Sequence, residues 1–353
     1  MDFEEKPEFY ALDAIGEMAW SDPLGFLKHD RDVKQVLAIG ETTAHLMAAL
    51  GDYLTFWRTI RKWPFYYLLP NDGSEMGFGT YVGNAKKIVT KRLGPNAERK
   101  HDMLQSFLDH GLGGDEVIQE VAFQFVAGGE TVSTVITLAF YLLLTHPTAY
   151  TRLQSEIDAA ITTTTAGPAA EPFILPNAQA RTLPYLQGVI REVLRLFPPL
   201  CGAPFYKEVP PEGDMLCGQT VPGGTLVATG PSQWHIGRDR TFWGPDVDCF
   251  RPERWLEAEA AAEAEAEAEK GGTPGKGAAA ERLAQMTRRV EMVFGSGQFI
   301  CVGRAIGLME AGKVIGELVR RYNWSLANPL SPPKVLNVGV WVLRDFWVKV
   351  ERR

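Results

Sequence analysis

Cysteine is scarce in this sequence. Only four occur in 353 residues, at Cys201, Cys217, Cys249 and Cys301, with no paired spacing. That excludes a disulfide framework and predicts a reducing compartment. Excess basic charge is absent as well. Lys and Arg number 36 against 43 Asp and Glu, and the formal net charge of −7 offers nucleic acid no electrostatic footprint. The opening Met1-Asp2-Phe3-Glu4-Glu5-Lys6 reads as neither a signal peptide nor an apolar anchor. What is present is 45% hydrophobic content, enough over this length to bury a large core.

Periodicity predicts a mainly α chain with a small β part. Helices are expected near residues 8–20, 31–60, 76–93, 115–145, 147–161, 184–197 and 302–322. Short strands are expected near 204–209, 225–230 and between Val340 and Val350. The apolar run from Val117 to Leu144 is long enough to span a bilayer. Glu130 near its middle, with Gln124, Thr131, Ser133 and Thr134 around it, would be costly in lipid, so a buried helix through a globular domain fits better. Asp115 is placed to cap its start, and His146-Pro147 marks its end. Gly128-Gly129 weaken it at mid-length and invite a local bulge. Two readings stand: an opened turn beside an acid and a hydroxyl that holds water or dioxygen, or close packing through the glycines.

Two stretches read as peripheral. Residues 257–281 form a low-complexity Ala/Glu/Gly insertion in which Glu residues at i, i+4 repel and the glycines break any helix. A solvated segment with no catalytic part is expected there. The aromatic stretch Trp57 to Leu69, with Trp63, Phe65, Tyr66 and Tyr67, admits substrate contact, peripheral contact with a membrane surface, or plain packing.

The densest chemistry lies in Phe294-Gly295-Ser296-Gly297-Gln298-Phe299-Ile300-Cys301-Val302-Gly303, directly before a helical run. No second cysteine or histidine stands at disulfide or zinc spacing from Cys301. The loop offers one thiolate at the start of a helix, where the dipole stabilises negative charge. Gly295, Gly297 and Gly303 let backbone approach a flat ligand and turn N–H groups toward the sulfur. Those are the requirements for an axial cysteine ligand of haem iron. The bland alternative is a buried structural cysteine in a glycine-rich turn. Elsewhere, Glu192 and Arg195 share a helix face among Val189, Ile190, Val193, Leu194 and Phe197, with Pro198-Pro199 behind. Charges in so apolar a helix point to a buried, paired network.

Phe-x-x-Gly-x-x-x-Cys-x-Gly resembles the haem loop of the cytochrome P-450 family, the haem-thiolate monooxygenases. Ala127-Gly128-Gly129-Glu130-Thr131 resembles the family's oxygen-binding stretch, and Glu192-Val193-Leu194-Arg195 its Glu-x-x-Arg pair. Phe250-Arg251-Pro252-Glu253-Arg254-Trp255 resembles the segment that completes that pair. The segments Glu17 to Leu27 and Asp102 to Leu108 look like fungal members of the family, of secondary-metabolic type. The resemblance implies that Cys301 ligates haem iron and that Thr131 with Glu130 supports proton delivery during oxygen activation. It further implies that Phe294, Gly297, Gly303, Ala127 and Lys207 touch the haem, and that Glu192, Arg195 and Arg254 are scaffold.

Two departures stand out. Phe299 occupies the place of a basic residue that pairs with a haem propionate. Lys207 stands where many members carry a propionate-binding arginine, and its point charge lacks the arginine fork; an ordinary surface lysine is the other reading. The beginning also lies where a family member is already well along. The fold expected is therefore cytochrome P-450-like and lacking its N-terminal portion, a single domain over 1–353. The activity implied is insertion of one oxygen atom from dioxygen into an apolar organic molecule, with electrons from NADPH through a reductase. The rival is a non-catalytic truncated remnant that binds haem poorly. The resemblance places such proteins on the cytoplasmic face of the endoplasmic reticulum membrane; a shortened chain without an anchor would be cytoplasmic.

Overall fold

The computed structural model describes residues 1–40, 42, 53, 59, 60, 62, 78–95, 97–164, 174–201, 206–228, 232–268 and 277–353. Trp63, Phe65, Tyr66 and Tyr67 lie outside them, with most of the helix expected over 31–60. The helices are α1 Glu5–Trp20, α2 Phe26–His29, α3 Phe78–Arg92, α4 Met103–Asp109, α5 Asp115–Thr145, α6 Pro147–Thr164, α7 Asn177–Ala180 and α8 Pro184–Leu196. They continue with α9 Ser232–Ile236, α10 Arg240–Trp243, α11 Glu253–Ala268, α12 Ala278–Glu291 and α13 Arg304–Arg321.

The strands are short and antiparallel. β1 (Leu200–Cys201) and β7 (Lys334–Asn337) flank β8 (Gly339–Arg344). β2 (Tyr206–Glu208) pairs with β5 (Leu226–Ala228), β3 (Asp214–Leu216) with β4 (Gln219–Val221), and β6 (Tyr322–Leu326) with β9 (Val348–Arg352). Met1 and Phe3 donate backbone N–H bonds to Val348 O and Phe346 O, which docks the first residues on the last strands.

Helix α5 joins two cores. Its first half, through Val117, Val121, Ala122 and Phe125, packs with Phe9, Leu12 and Trp20 of α1 and Tyr81, Ala85 and Val89 of α3. Its second half, through Ile136, Ala139, Phe140 and Leu143, packs with α6, α8 and α13. Phe140 lies 4.8 Å from the Phe3 ring in a tilted pair and 4.9 Å from Trp324 in an edge contact, each worth roughly 0.5–1.5 kcal/mol beyond burial. α5 has the length and composition to cross a membrane. However, 67% of its most apolar window is buried inside the protein, as befits a core helix.

Gly128-Gly129 introduce no bulge, and α5 runs unbroken from Asp115 to Thr145. The glycines serve close packing: a Cβ at Gly128 would meet Ile15 Cγ1 at 2.9 Å, and one at Gly129 would meet Leu12 Cδ2 at 2.7 Å. Helix α1 therefore sits nearly on the α5 backbone. Nor does Asp115 cap α5. Gly114 takes the N-cap position without a side-chain bond, and Asp115 and Glu116 fall in the first turn, where they face the positive end of the dipole.

The Ala/Glu repeat is helical through Glu253–Ala268 despite its like charges. Alanine's propensity outweighs repulsions of a few tenths of a kcal/mol, and Arg191 pairs with Glu259 at 2.5 Å. Gly271, Gly272 and Gly275, expected to break the helix, lie outside the described residues. Glu265 accepts from the backbone N–H groups of Ala279 and Ala280 at 2.8 and 3.1 Å, capping α12 from the neighbouring helix. Gly277 makes room, since a Cβ there would lie 2.0 Å from the Glu265 carboxyl carbon. Glu265→Ala is expected to lower stability in urea unfolding by about 1 kcal/mol, while Glu263→Ala on the exposed face leaves it unchanged. Equal effects would show that the cap contributes nothing.

Candidate active site

Helix α8 is amphipathic, with Leu186, Val189, Ile190 and Val193 at i, i+3, i+4 and i+7 on its buried face. Glu192 on that helix is fully buried. Its Oε2 accepts from Arg195 Nε at 2.9 Å and Trp255 Nε1 at 3.0 Å. Its Oε1 accepts from Arg195 Nη2 at 2.7 Å, Arg254 Nε at 2.9 Å and the Arg251 backbone N–H at 3.2 Å. Arg195 spends its remaining donors on the carbonyls of Gly237 (2.6 Å), Val247 (2.7 Å) and Cys249 (3.1 Å). A Cβ at Gly237 would lie 2.1 Å from Arg195 O, so only glycine fits there. The structure thus brings Glu192, Arg195 and Arg254 together. Trp255, Arg251 N–H and Gly237 complete the network; Trp255 and Arg251 stand beside Arg254 in the quoted motif, and nothing local marks Gly237.

The segment that this network holds leads through α11 and α12 to the Cys301 loop. Short 3-10 turns at Met292–Phe294 and Gly297–Phe299 fold it back. Gly295 and Gly297 take φ of 75° and 58°, and a Cβ at Gly295 would strike Phe299 O at 2.5 Å. The Cys301 N–H donates to Phe294 O at 2.6 Å, which closes the loop. α13 begins at Arg304 with Gly303 as N-cap, so Cys301 stands just outside the helix. Among the described residues no N–H donates to Sγ; the Gly295, Phe299, Ile300 and Cys301 N–H groups donate to the carbonyls of Met292, Ser296, Gly297 and Phe294 instead. Cys301 is exposed, which sets aside the buried structural cysteine.

Opposite lies α5. Val132 Cγ2 would be 3.5 Å from a Cβ at Gly307, one turn into α13. Phe123, Ala127 and Thr131 recur every four residues and form a stripe on α5 that is open to solvent or half-buried, although the helix is otherwise a core element. Thr131 Oγ1 donates to Ala127 O at 2.8 Å. Glu130, about 100° further round the helix, turns away from that stripe. A Cβ at Gly40 would lie 3.0 Å from Glu130 Oε1 and 2.5 Å from Tyr81 Oη, so Gly40 leaves space for both groups. Burial pushes the Glu130 carboxyl up to about 7 and, with Glu130 beside it, pushes the Tyr81 phenol up as well.

A second buried acid escaped the sequence reading. Glu310 of α13 is 5% exposed, and its Oε1 has no partner. Burial raises it to about 7. Burial, followed by this neighbouring acid, pushes the Tyr10 phenol up to about 12. Its only sequence signal is an acid directly beside the apolar positions Ala311, Ile315 and Val319. On β2, Lys207 is exposed and its Nζ stands 4.2 Å from the centre of the Phe299 ring.

These residues suit a flat, apolar, iron-bearing ring. Among the described residues no three His, Cys, Asp or Glu gather to hold a bare metal ion, so a group that brings its own equatorial ligands matches the accessible thiol of Cys301. Beside it Phe299, Ile300 and Val302 are 60%, 48% and 98% exposed, an apolar rim that a porphyrin would cover. A Cβ at Gly303 would lie 3.8 Å from the Cys301 Sγ, Phe294 and Gly297 lie on the same loop, and Ala127 stands on the exposed stripe of α5.

A lone thiol on a glycine-shaped loop, set against a long core helix in a mostly helical fold with small antiparallel sheets, defines the haem-thiolate class. The Cytochrome P450 family model matches residues 5–344, and the chain belongs to that family. Cytochrome P450 monooxygenase ABA1 of Pyricularia oryzae is 33% identical over all of this chain and 64% of its own length. Cytochrome P450 monooxygenase aba1 of Botryotinia fuckeliana is 33% identical over 97% of this chain and 62% of its own. Cytochrome P450 monooxygenase abl1 of Leptosphaeria maculans is 31% identical over 93% and 53%. The chain therefore spans less than two thirds of the length of these fungal relatives.

Two outcomes follow. Removing Glu192 strands two buried guanidinium groups. Glu192→Ala is therefore expected to cost roughly 3–5 kcal/mol in denaturant unfolding, and a native midpoint would show that the network carries little. The acids set a pH dependence. A folded carboxyl raised to about 7 keeps a proton that the unfolded chain releases near pH 4.5. Its stabilising effect is complete below about pH 4.5 and is lost as pH rises through about 7. In that window stability should fall by up to about 1.4 kcal/mol per pH unit for each group. Glu130→Gln should flatten the profile, and an unchanged slope would place the titration elsewhere.

Proposed function

We propose that this chain is the haem-bearing part of a monooxygenase that inserts one oxygen atom from dioxygen into an apolar organic small molecule. Electrons would come from NADPH through a reductase partner, at the cytoplasmic face of the endoplasmic reticulum membrane as is common in the family. The observation that carries the reading is the accessible Cys301 on its closed loop before α13. Haem held by a cysteine thiolate supplies the oxygen-activating chemistry, and the protein supplies position and protons.

Each residue then has a task. Cys301 holds the iron. Phe294, Gly297 and Gly303 would hold the group from the Cys301 loop, and Ala127 would leave room for it on α5. Lys207 meets a carboxylate at the edge. Thr131, whose hydroxyl rests on Ala127 O at 2.8 Å, offers that hydrogen to the site when the side chain turns. Glu130, raised to about 7, gains and loses a proton near neutral pH on the side of Tyr81. Glu192, Arg195 and Arg254 hold the thiolate-bearing half in register and touch no substrate.

The test uses the chain loaded with haem. The reduced carbon-monoxide adduct should show the red-shifted band of thiolate ligation, and Cys301→Ala should abolish it. Thr131→Ala should keep the band and NADPH consumption but divert electrons to peroxide, lowering product by on the order of 10²–10⁴-fold. An unchanged band in Cys301→Ala would remove the centre of this reading. A chain that takes up no haem would favour the non-catalytic remnant.

A further inference from the structure

The cation that follows the loop, Arg304 at the start of α13, is already committed. Arg304 pairs with Glu291, and its guanidinium stands 5.6 Å from the Phe294 ring centre. The other nearby cation is Lys207, which arrives from β2, far away in sequence. Among the described residues no carboxylate lies within ion-pair distance of Lys207, and its one recorded contact is the Phe299 ring at 4.2 Å. Phe299 itself is 60% exposed, two residues before Cys301. Nothing in the core requires an aromatic side chain at that exposed position.

An ammonium on a four-carbon stem samples many rotamers, and alone it makes a diffuse anion contact. A ring face beneath it selects the rotamers that bring Nζ to one place. The remaining N–H bonds then point away from the ring. The contact neutralises no charge, so the cation stays able to take an anion.

We propose that Phe299 is a positioning residue that holds the Lys207 ammonium beside the Cys301 loop, ready for a carboxylate at the edge of the bound tetrapyrrole. This rests on the haem reading above and deepens it. An aromatic residue and a distant lysine, joined through a cation–π contact, together do what a single basic side chain on the loop would do. Phe299 does not touch the carboxylate; it acts through Lys207.

Two measurements on the full chain test this. In the haem-free protein, carbon–proton NMR should show the Lys207 ε-methylene shifted upfield by the ring current. Phe299→Leu should remove that shift, and Phe299→Trp should retain it. Titration with hemin and with hemin dimethyl ester, whose carboxylates are blocked, then reads the anion contact. Wild type should prefer hemin. Phe299→Leu and Lys207→Met should each lose about two- to fivefold of that preference, and the double variant no more than either alone. Phe299→Trp should keep it. An unshifted methylene, equal binding of hemin and its ester, or additive losses would overturn the proposal while leaving Cys301 ligation intact. A chain that binds neither compound through Cys301 overturns the haem reading, and the carboxylate partner falls with it, even where the ring-current shift is present.

Discussion

The half of this fold that carries Cys301 depends on one buried carboxylate. Glu192 accepts N–H donors from Arg195, Arg251, Arg254 and Trp255, and it lies in an apolar helix with no access to water. A bare carboxylate there would be very costly; with its donors in place it ties α8 to the chain between Gly237 and Trp255. Arg195 extends the tie by filling three backbone carbonyls of that connection, which forms no strands among the described residues. The polypeptide then runs through α11 and α12 into the Cys301 loop, so the sulfur inherits its place from a charge that never approaches it.

The α5 side of the site is built by a different device. Helix α5 must be long and apolar to join two cores, yet it must leave one stripe uncovered. Close packing of α1 on Gly128 and Gly129 achieves the first without crowding the second. Because α1 approaches on the glycine face, Phe123, Ala127 and Thr131 stay open on another. The N-terminal core is secured by a second ion pair. Arg92 grips Asp102 with both terminal nitrogens, at 2.9 and 2.6 Å, and donates to Trp20 O. Burial opposes ionisation of Asp102, but its bonds from Arg92, the Gln105 N–H and Ser21 hold the carboxyl below its ordinary range.

Glu130 and Glu310 stand apart from these paired groups. Both are acids raised to about 7, Glu310 buried and Glu130 partly so, and desolvation is the cause for each. Paired acids such as Glu192 and Asp102 stabilise the fold. Unpaired ones weaken it as pH rises, which protein cores tolerate most readily at working sites. Glu130 lies within the segment that resembles the family's oxygen-binding stretch. Glu310 lies one helix away, against Tyr10.

How much of this was legible beforehand follows from the range of each interaction. The helices at Glu5–Trp20, Phe78–Arg92, Asp115–Thr145, Pro184–Leu196 and Arg304–Arg321 were readable, because a 3.6-residue period and its flanking prolines are local. So was the family, since the Cys301 loop packs its glycines and aromatics into ten consecutive residues. The sequence misled where alanine's helix propensity overcame the Glu–Glu repulsion in Glu253–Ala268; it left open whether the glycine pair opened a bulge or served close packing, and the pair serves a neighbouring helix. Other features were invisible, because each joins residues that only folding brings together. These include the glycine at 237 beneath Arg195, the Glu265 cap on α12, the turn of Glu130 toward Tyr81, and the rest of Lys207 on Phe299. By itself the sequence determined periodic elements, turns and the chemistry carried within one loop. Only the tertiary structure decided which faces meet and which stay open, because contacts between distant residues are set by packing against the whole core, and no local pattern encodes that.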